Sequence, residues 1–127
     1  VAALKATVPT ISDVIVYDEA SDPNSLLGRP GQYVSKAGFH DSRLAGQESL
    51  DDAPFAVVKG GDVEVWSTDQ GAQERADYVG GIVNSPAGAI FGPEYMYRIG
   101  PVLLRVSGKL TPPQASEYDR ALASVLN

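Results

Sequence analysis

Two rhythms of hydrophobic and polar positions run along this chain, one with a period of two and one with a period of three to four. Val14-Ile15-Val16-Tyr17 is β-branched and aromatic and marks a short strand within 11–17. Tyr33, Ser35, Ala37 and Phe39 alternate with Val34, Lys36, Gly38 and His40, which predicts a strand within 32–43. Val63 and Val65 fall on one face of a third run, and Glu64 and Trp66 on the other. Tyr95, Tyr97 and Ile99 alternate with Met96 and Arg98, and Val102, Leu104 and Val106 with Leu103, Arg105 and Ser107. The turn Gly100-Pro101 joins these last two runs as a hairpin.

The helical rhythm appears twice. Ala72, Ala76, Val79 and Val83 form one stripe, and Ala115, Tyr118, Leu122 and Val125 another, predicting helices over about 69–83 and 112–126. Ser67 and Gln70 have the spacing of a capping box at the first. At the second, Thr111-Pro112-Pro113-Gln114 combines an N-cap Thr, Pro at the first helical position and Gln three residues after the cap. Residues 1–8 read as a helix tail or a disordered leader, because the helix-forming run before Pro9 is too short to stand alone. From Ser42 to Lys59 the pattern breaks down into a long loop. Strands joined by short turns, with helices at intervals, predict a single α+β domain over 1–127. Its expected form is a mainly antiparallel sheet of four to five strands with both main helices on one face.

The densest backbone instruction lies in Asp22-Pro23-Asn24-Ser25-Leu26-Leu27-Gly28-Arg29-Pro30-Gly31-Gln32-Tyr33. Asp22 can accept from amides two or three residues on, and Pro23 presets the next φ. Arg29-Pro30-Gly31 has Pro and Gly where a type II turn wants them. Leu26 and Leu27 require burial, so the stretch is an ordered loop pinned to the core that launches a strand. The alternative reading of the same loop is that it presents Arg29 to an anionic group.

Composition narrows the function. At 43% hydrophobic and 20% charged, the 127 residues are ordinary globular material. The net charge of −6, with lysine and arginine scattered, argues against a nucleic-acid partner. Cysteine is absent, which excludes disulfides, thiolate metal sites and cysteine nucleophiles. No apolar run reaches membrane-spanning length. Any signal peptide or lipid anchor is expected upstream of Val1.

Chemistry-bearing groups are sparse. His40 is the only histidine, and its neighbour Asp41 points to the opposite strand face, a poor position from which to orient it. Asp18, Glu19, Asp22 and Asn24 could offer oxygen ligands to calcium but lack the spacing of a known loop. Asp51-Asp52 is a weaker signal of the same kind. No metal, cofactor or catalytic set is expected. The aromatic and guanidinium groups are more telling. With helices on one face, the other is left to solvent, and Glu64, Trp66 and Arg105 point there, joined by Tyr33. Trp, Tyr and Arg are the residue types enriched at binding hot spots. The expected function is a non-enzymatic module that binds a protein, such as a hydrolase it inhibits, or a cell-envelope ligand through this open face and the Arg29 loop. One alternative is a small carboxylate-dependent hydrolase with Asp22, Arg29 or His40 near a cleft. Another is a purely structural domain.

The run Asp22 to Lys36, with Gly60-Gly61-Asp62-Val63-Glu64-Val65, Arg75-Ala76-Asp77-Tyr78-Val79, and Leu103-Leu104-Arg105-Val106-Ser107 followed by Leu110-Thr111-Pro112, resembles a family of small uncharacterised domains of Gram-positive bacteria. Those domains follow a signal peptide or lipoprotein anchor. The resemblance implies an extracytoplasmic location, secreted or tethered to the cell surface, and supplies no catalytic residues.

Overall fold

The computed structural model describes residues 1–46, 53–85 and 93–126. One antiparallel sheet of five strands organises them, with the order β1-β2-β3-β5-β4. In chain order the elements are α1 (Ala2–Thr7), β1 (Ile11–Val16), β2 (Ser35–Asp41), β3 (Gly60–Val65), α2 (Asp69–Val83), β4 (Glu94–Ile99), β5 (Val102–Ser107) and α3 (Pro112–Leu126). Short 3-10 turns occupy Ser42–Leu44 and Val57–Lys59. The central part of the expected 42–59 loop, with Asp51-Asp52, lies outside the described residues, as does most of the 85–93 loop.

The single α+β domain, its antiparallel sheet and its two long helices match the sequence pattern. The placement of the helices does not. α3 packs on the face carrying Phe39, whose ring stacks on that of Tyr118 at 5.5 Å between centroids. α2 lies on the other face, where Arg75 pairs with Glu64. A helix's apolar stripe states that one side must be covered, but not which face of a sheet covers it. The expectation of one wholly uncovered sheet face is therefore corrected: both faces carry helix.

The larger core fills the α3 side. It joins Leu4, Ile11, Phe39, Leu104, Val106 and Leu122, with Tyr95, Tyr97 and Ile99 packed against it. Residues 2–7 form a short helix docked through Leu4 and, just beyond it, Val8, rather than a loose leader. Gly61 lets this core close. A Cβ there would sit 2.6 Å from the Phe39 ring and 2.4 Å from the Arg105 carbonyl oxygen, so only hydrogen fits. On the same side Asp41 ties the end of β2 to its neighbours. It accepts from the Tyr118 hydroxyl at 2.6 Å, from the Thr10 hydroxyl, and from the Arg43 amide and guanidinium. Burial alone would raise the Asp41 carboxyl, but these donors outweigh it and hold it below the ordinary range. Burial and the same carboxylate push the Tyr118 hydroxyl upward.

The caps show one shift of register. Thr111 and Gln114 bond reciprocally, as their spacing predicts. At α2 the cap is Thr68, which accepts from the Gly71 amide at 2.9 Å, so the helix is capped one residue later than Ser67.

Candidate ligand-binding cleft

Strand register assembles a charged patch on the α2 side. Lys36 of β2 sits opposite Glu64 of β3, and Asp62 of β3 opposite Arg105 of β5. Alternation along each strand sends their neighbours Ala37, Val63 and Leu104 to the other side. The Arg105 guanidinium meets the Glu94 carboxylate with two parallel bonds, 2.8 and 2.9 Å. It also lies 3.4 Å from Asp62 Oδ2 and 3.6 Å from Glu64 Oε2. From α2, Arg75 Nε donates to Glu64 Oε1 at 3.1 Å. The Trp66 indole donates to the same oxygen at 3.3 Å. Burial works to lower the Arg105 pKa, but the charges of Asp62, Glu94 and Glu64 prevail and raise it, so the guanidinium is permanently cationic.

Two groups in this patch are incompletely satisfied. Asp62 Oδ1 is buried without a hydrogen-bond partner, since the residue's ion pairs run through Oδ2. The Lys36 ammonium lies 3.7 Å from both Asp62 Oδ2 and Glu64 Oε2, beyond hydrogen-bond reach, although the side chain is only 4% exposed. It is held over the Tyr33 ring at 5.1 Å and near the Tyr17 ring at 5.9 Å.

Above this floor lies a cleft of about 1080 Å³. Lys36, Asp62, Glu94 and Arg105 line its base. The loop after β1 contributes Tyr17 and Leu26, the 53–58 segment contributes Phe55, and α2 contributes Tyr78, Val79 and Ile82. Burial and the charges of Asp62 and Asp22 push the Tyr17 phenol upward, so it stays a neutral hydrogen-bonding group.

The loop wall owes its order to Asp22. Asp22 Oδ1 accepts from the Asn24 amide, and Oδ2 from the Leu26 and Leu27 amides and the Tyr33 hydroxyl. Burial opposes the charge, but these four donors lower the Asp22 pKa. The type II turn forms as read: Gly31 has φ of +75° and the Gln32 amide donates to the Arg29 carbonyl at 3.0 Å.

The structure distributes the expected binding residues unevenly. Trp66 and Arg105 both line the cleft, with Trp66 7% exposed. Glu64 and Tyr33 are fully buried, Glu64 beneath the floor and Tyr33 edge-on to Trp66 at 5.6 Å. Arg29 is exposed on its turn and is not among the lining residues. His40 stands outside the lining as well. Its ring stacks on Phe55 at 4.4 Å, with Nδ1 3.2 Å from Asp13 and Nε2 against the Pro54 carbonyl. Asp18 is engaged with Ser21, and no group of three or more potential metal-ligating side chains occurs among the described residues. Lys36, Asp62, Arg75 and Glu94 were missed by the sequence reading. The signal of the three strand residues was charge on runs otherwise rich in core residues, and it becomes meaningful only once β3 is known to be central.

No helix among the described residues is long and apolar enough to cross a membrane. Comparison with protein-family models, curated proteins and solved structures finds no match.

Proposed function

We propose that this domain is a non-enzymatic binding module that holds a small ligand in the cleft between α2, the loop after β1 and the 53–58 segment. The observation that carries this reading is the cleft itself: about 1080 Å³ of open space above a floor of ion-paired side chains. That volume is just above the usual range for small-molecule sites, roughly 300–1,000 Å³. Apolar walls with a few fixed polar groups are the common make-up of such sites. The pairing of Arg105 with Glu94 and of Arg75 with Glu64 holds the floor in place before a ligand arrives, which lowers the ordering cost of binding.

Binding is favoured over hydrolysis because Asp22 and His40, the groups a hydrolase would draw on, are committed elsewhere. Asp22 receives four hydrogen bonds in its loop, and His40 fastens the 53–55 segment. The Arg29 loop serves as a wall, with Arg29 itself outside. An extracytoplasmic location remains part of the proposal on the strength of the motif resemblance, and the ligand would then be met in the envelope or the medium.

The test is retention. Protein is equilibrated with small-molecule extracts of envelope and medium from the producing organism, desalted and denatured, and the released molecules are read by mass spectrometry. Ala53→Trp, at an exposed lining position, blocks the mouth of the cleft. A molecule retained by the wild type and lost from Ala53→Trp supports the reading. Equal retention by both, or retention by neither, overturns it.

A further inference from the structure

We infer that the ligand is a neutral hydroxylic molecule, a saccharide or polyol, one hydroxyl of which bridges Lys36 and Asp62. This rests on the cleft being a ligand site. The argument begins with the two incompletely satisfied groups. Asp62 Oδ1 is a buried acceptor with no donor. The Lys36 ammonium carries three donors and has its nearest carboxylate oxygens at 3.7 Å. Lys36 and Asp62 are both lining residues of the same cleft. Leaving hydrogen-bonding capacity unused at groups shielded from water is costly, so a ligand able to serve both gains from doing so.

What each group lacks, a donor for Asp62 and an acceptor for Lys36, selects the ligand group. A hydroxyl oxygen is at once a donor and an acceptor, so a single atom can give its proton to Asp62 Oδ1 and accept from Lys36. An ammonium group, having no lone pair, can serve only Asp62, and a carboxylate only Lys36. Charge points the same way. In the floor Lys36, Arg75 and Arg105 are balanced by Asp62, Glu64 and Glu94, each ion-paired within the set. A charged ligand would have to shed its hydration for a site that already has its counter-charges, at a cost of several kcal/mol per ion. A hydroxyl brings no net charge and far less desolvation. The exposed Glu74 at the rim adds one negative charge near solvent, which further disfavours an anion. The walls complete the fit. Tyr17, Tyr78 and Phe55 offer ring surface to the C–H faces of a sugar, and the Tyr17 hydroxyl stays protonated beside them.

Trp66 is the sole tryptophan and lines the cleft, so its fluorescence reports on the site directly. Wild-type protein is titrated with glucose, cellobiose and xylitol, and with glucosamine, gluconate and valine as cationic, anionic and zwitterionic counterparts. Amide chemical shifts are recorded in parallel. The expected result is saturable change with a neutral hydroxylic probe and binding at least tenfold weaker for the charged ones. Asp62→Ala and Lys36→Met should each weaken that binding by about tenfold, the loss of one hydrogen bond to a charged group. Should either variant fail to fold, the O-methylated form of the bound probe, which cannot donate, replaces it: loss of binding to wild-type protein supports the bridge. Preferential binding of glucosamine, gluconate or valine overturns the inference of a neutral hydroxylic ligand. So does undiminished binding of the methylated probe. If no probe binds but the extract experiment yields a molecule excluded by Ala53→Trp, the inference fails while the cleft reading stands. If both experiments are negative, both fail.

Discussion

Tyr33 donates its hydroxyl to Asp22 at 2.6 Å, closing the twelve-residue stretch 22–33 on a buried carboxylate that also receives three backbone amides. Turn chemistry at one end of the motif and a residue two positions before β2 at the other thus meet at one side chain. The motif's regularity is explained by this internal bonding rather than by contact with a partner. Tyr33→Phe should cost about 1.5–3 kcal/mol, the worth of a hydrogen bond to a charged group, with the loop retained by the three amides. Asp22→Ala should cost more, about 3–5 kcal/mol, because it leaves those amides without their acceptor. Urea unfolding of both variants checks the order. Equal stability of wild type and Asp22→Ala would remove Asp22 from the account.

Acid should unfold the protein through Asp22 and Asp41. Both carboxyls are lowered below their ordinary value in the fold. The unfolded chain, with aspartate near 3.9, therefore binds more protons than the native state as pH falls past about that point. The stabilisation is fully present above the unfolded value and is lost as pH drops through the lower, folded values. Unfolding midpoints measured from pH 7 to pH 2.5 should be flat in this respect down to about 4.5 and then fall. In the double variant Asp22→Asn, Asp41→Asn the fall should be shallower.

Gly61→Ala tests the close approach of β3 to the Phe39 ring. The added methyl group meets both that ring and the Arg105 carbonyl, so the strand must shift. Destabilisation of about 1–3 kcal/mol is expected, the usual cost of overpacking. The double variant Gly61→Ala, Phe39→Leu removes the ring but not the carbonyl clash and should recover only part of the loss. Full recovery would assign the whole constraint to the ring.

Arg29→Ala should change neither the melting temperature nor retention of the cleft ligand, because Arg29 is exposed and lies outside the lining. Arg75→Ala is the contrasting case. It removes a guanidinium bonded to the fully buried Glu64 and leaves that carboxylate with less compensation. A loss of about 3 kcal/mol in chemical denaturation is expected, typical of breaking a buried pair from one side.

Local chemistry was legible in the chain by itself. The Thr111–Gln114 capping box, the type II turn at Arg29-Pro30-Gly31 and the alternation of Glu64 against Val63 each depend on residues a few positions apart, and each appears in the fold. The class of the domain followed from the two periodicities together. The side of the sheet taken by α2, and with it the site, was decided only in three dimensions. Asp62 and Arg105 are 43 positions apart and adjacent only through strand pairing, while Glu64 and Arg75 meet only because α2 crosses that face. Periodicity records that a surface must be covered, and strand order and crossover determine what covers it. The cleft is made by that choice, since a helix on the other face would have left Lys36 and Asp62 in open water.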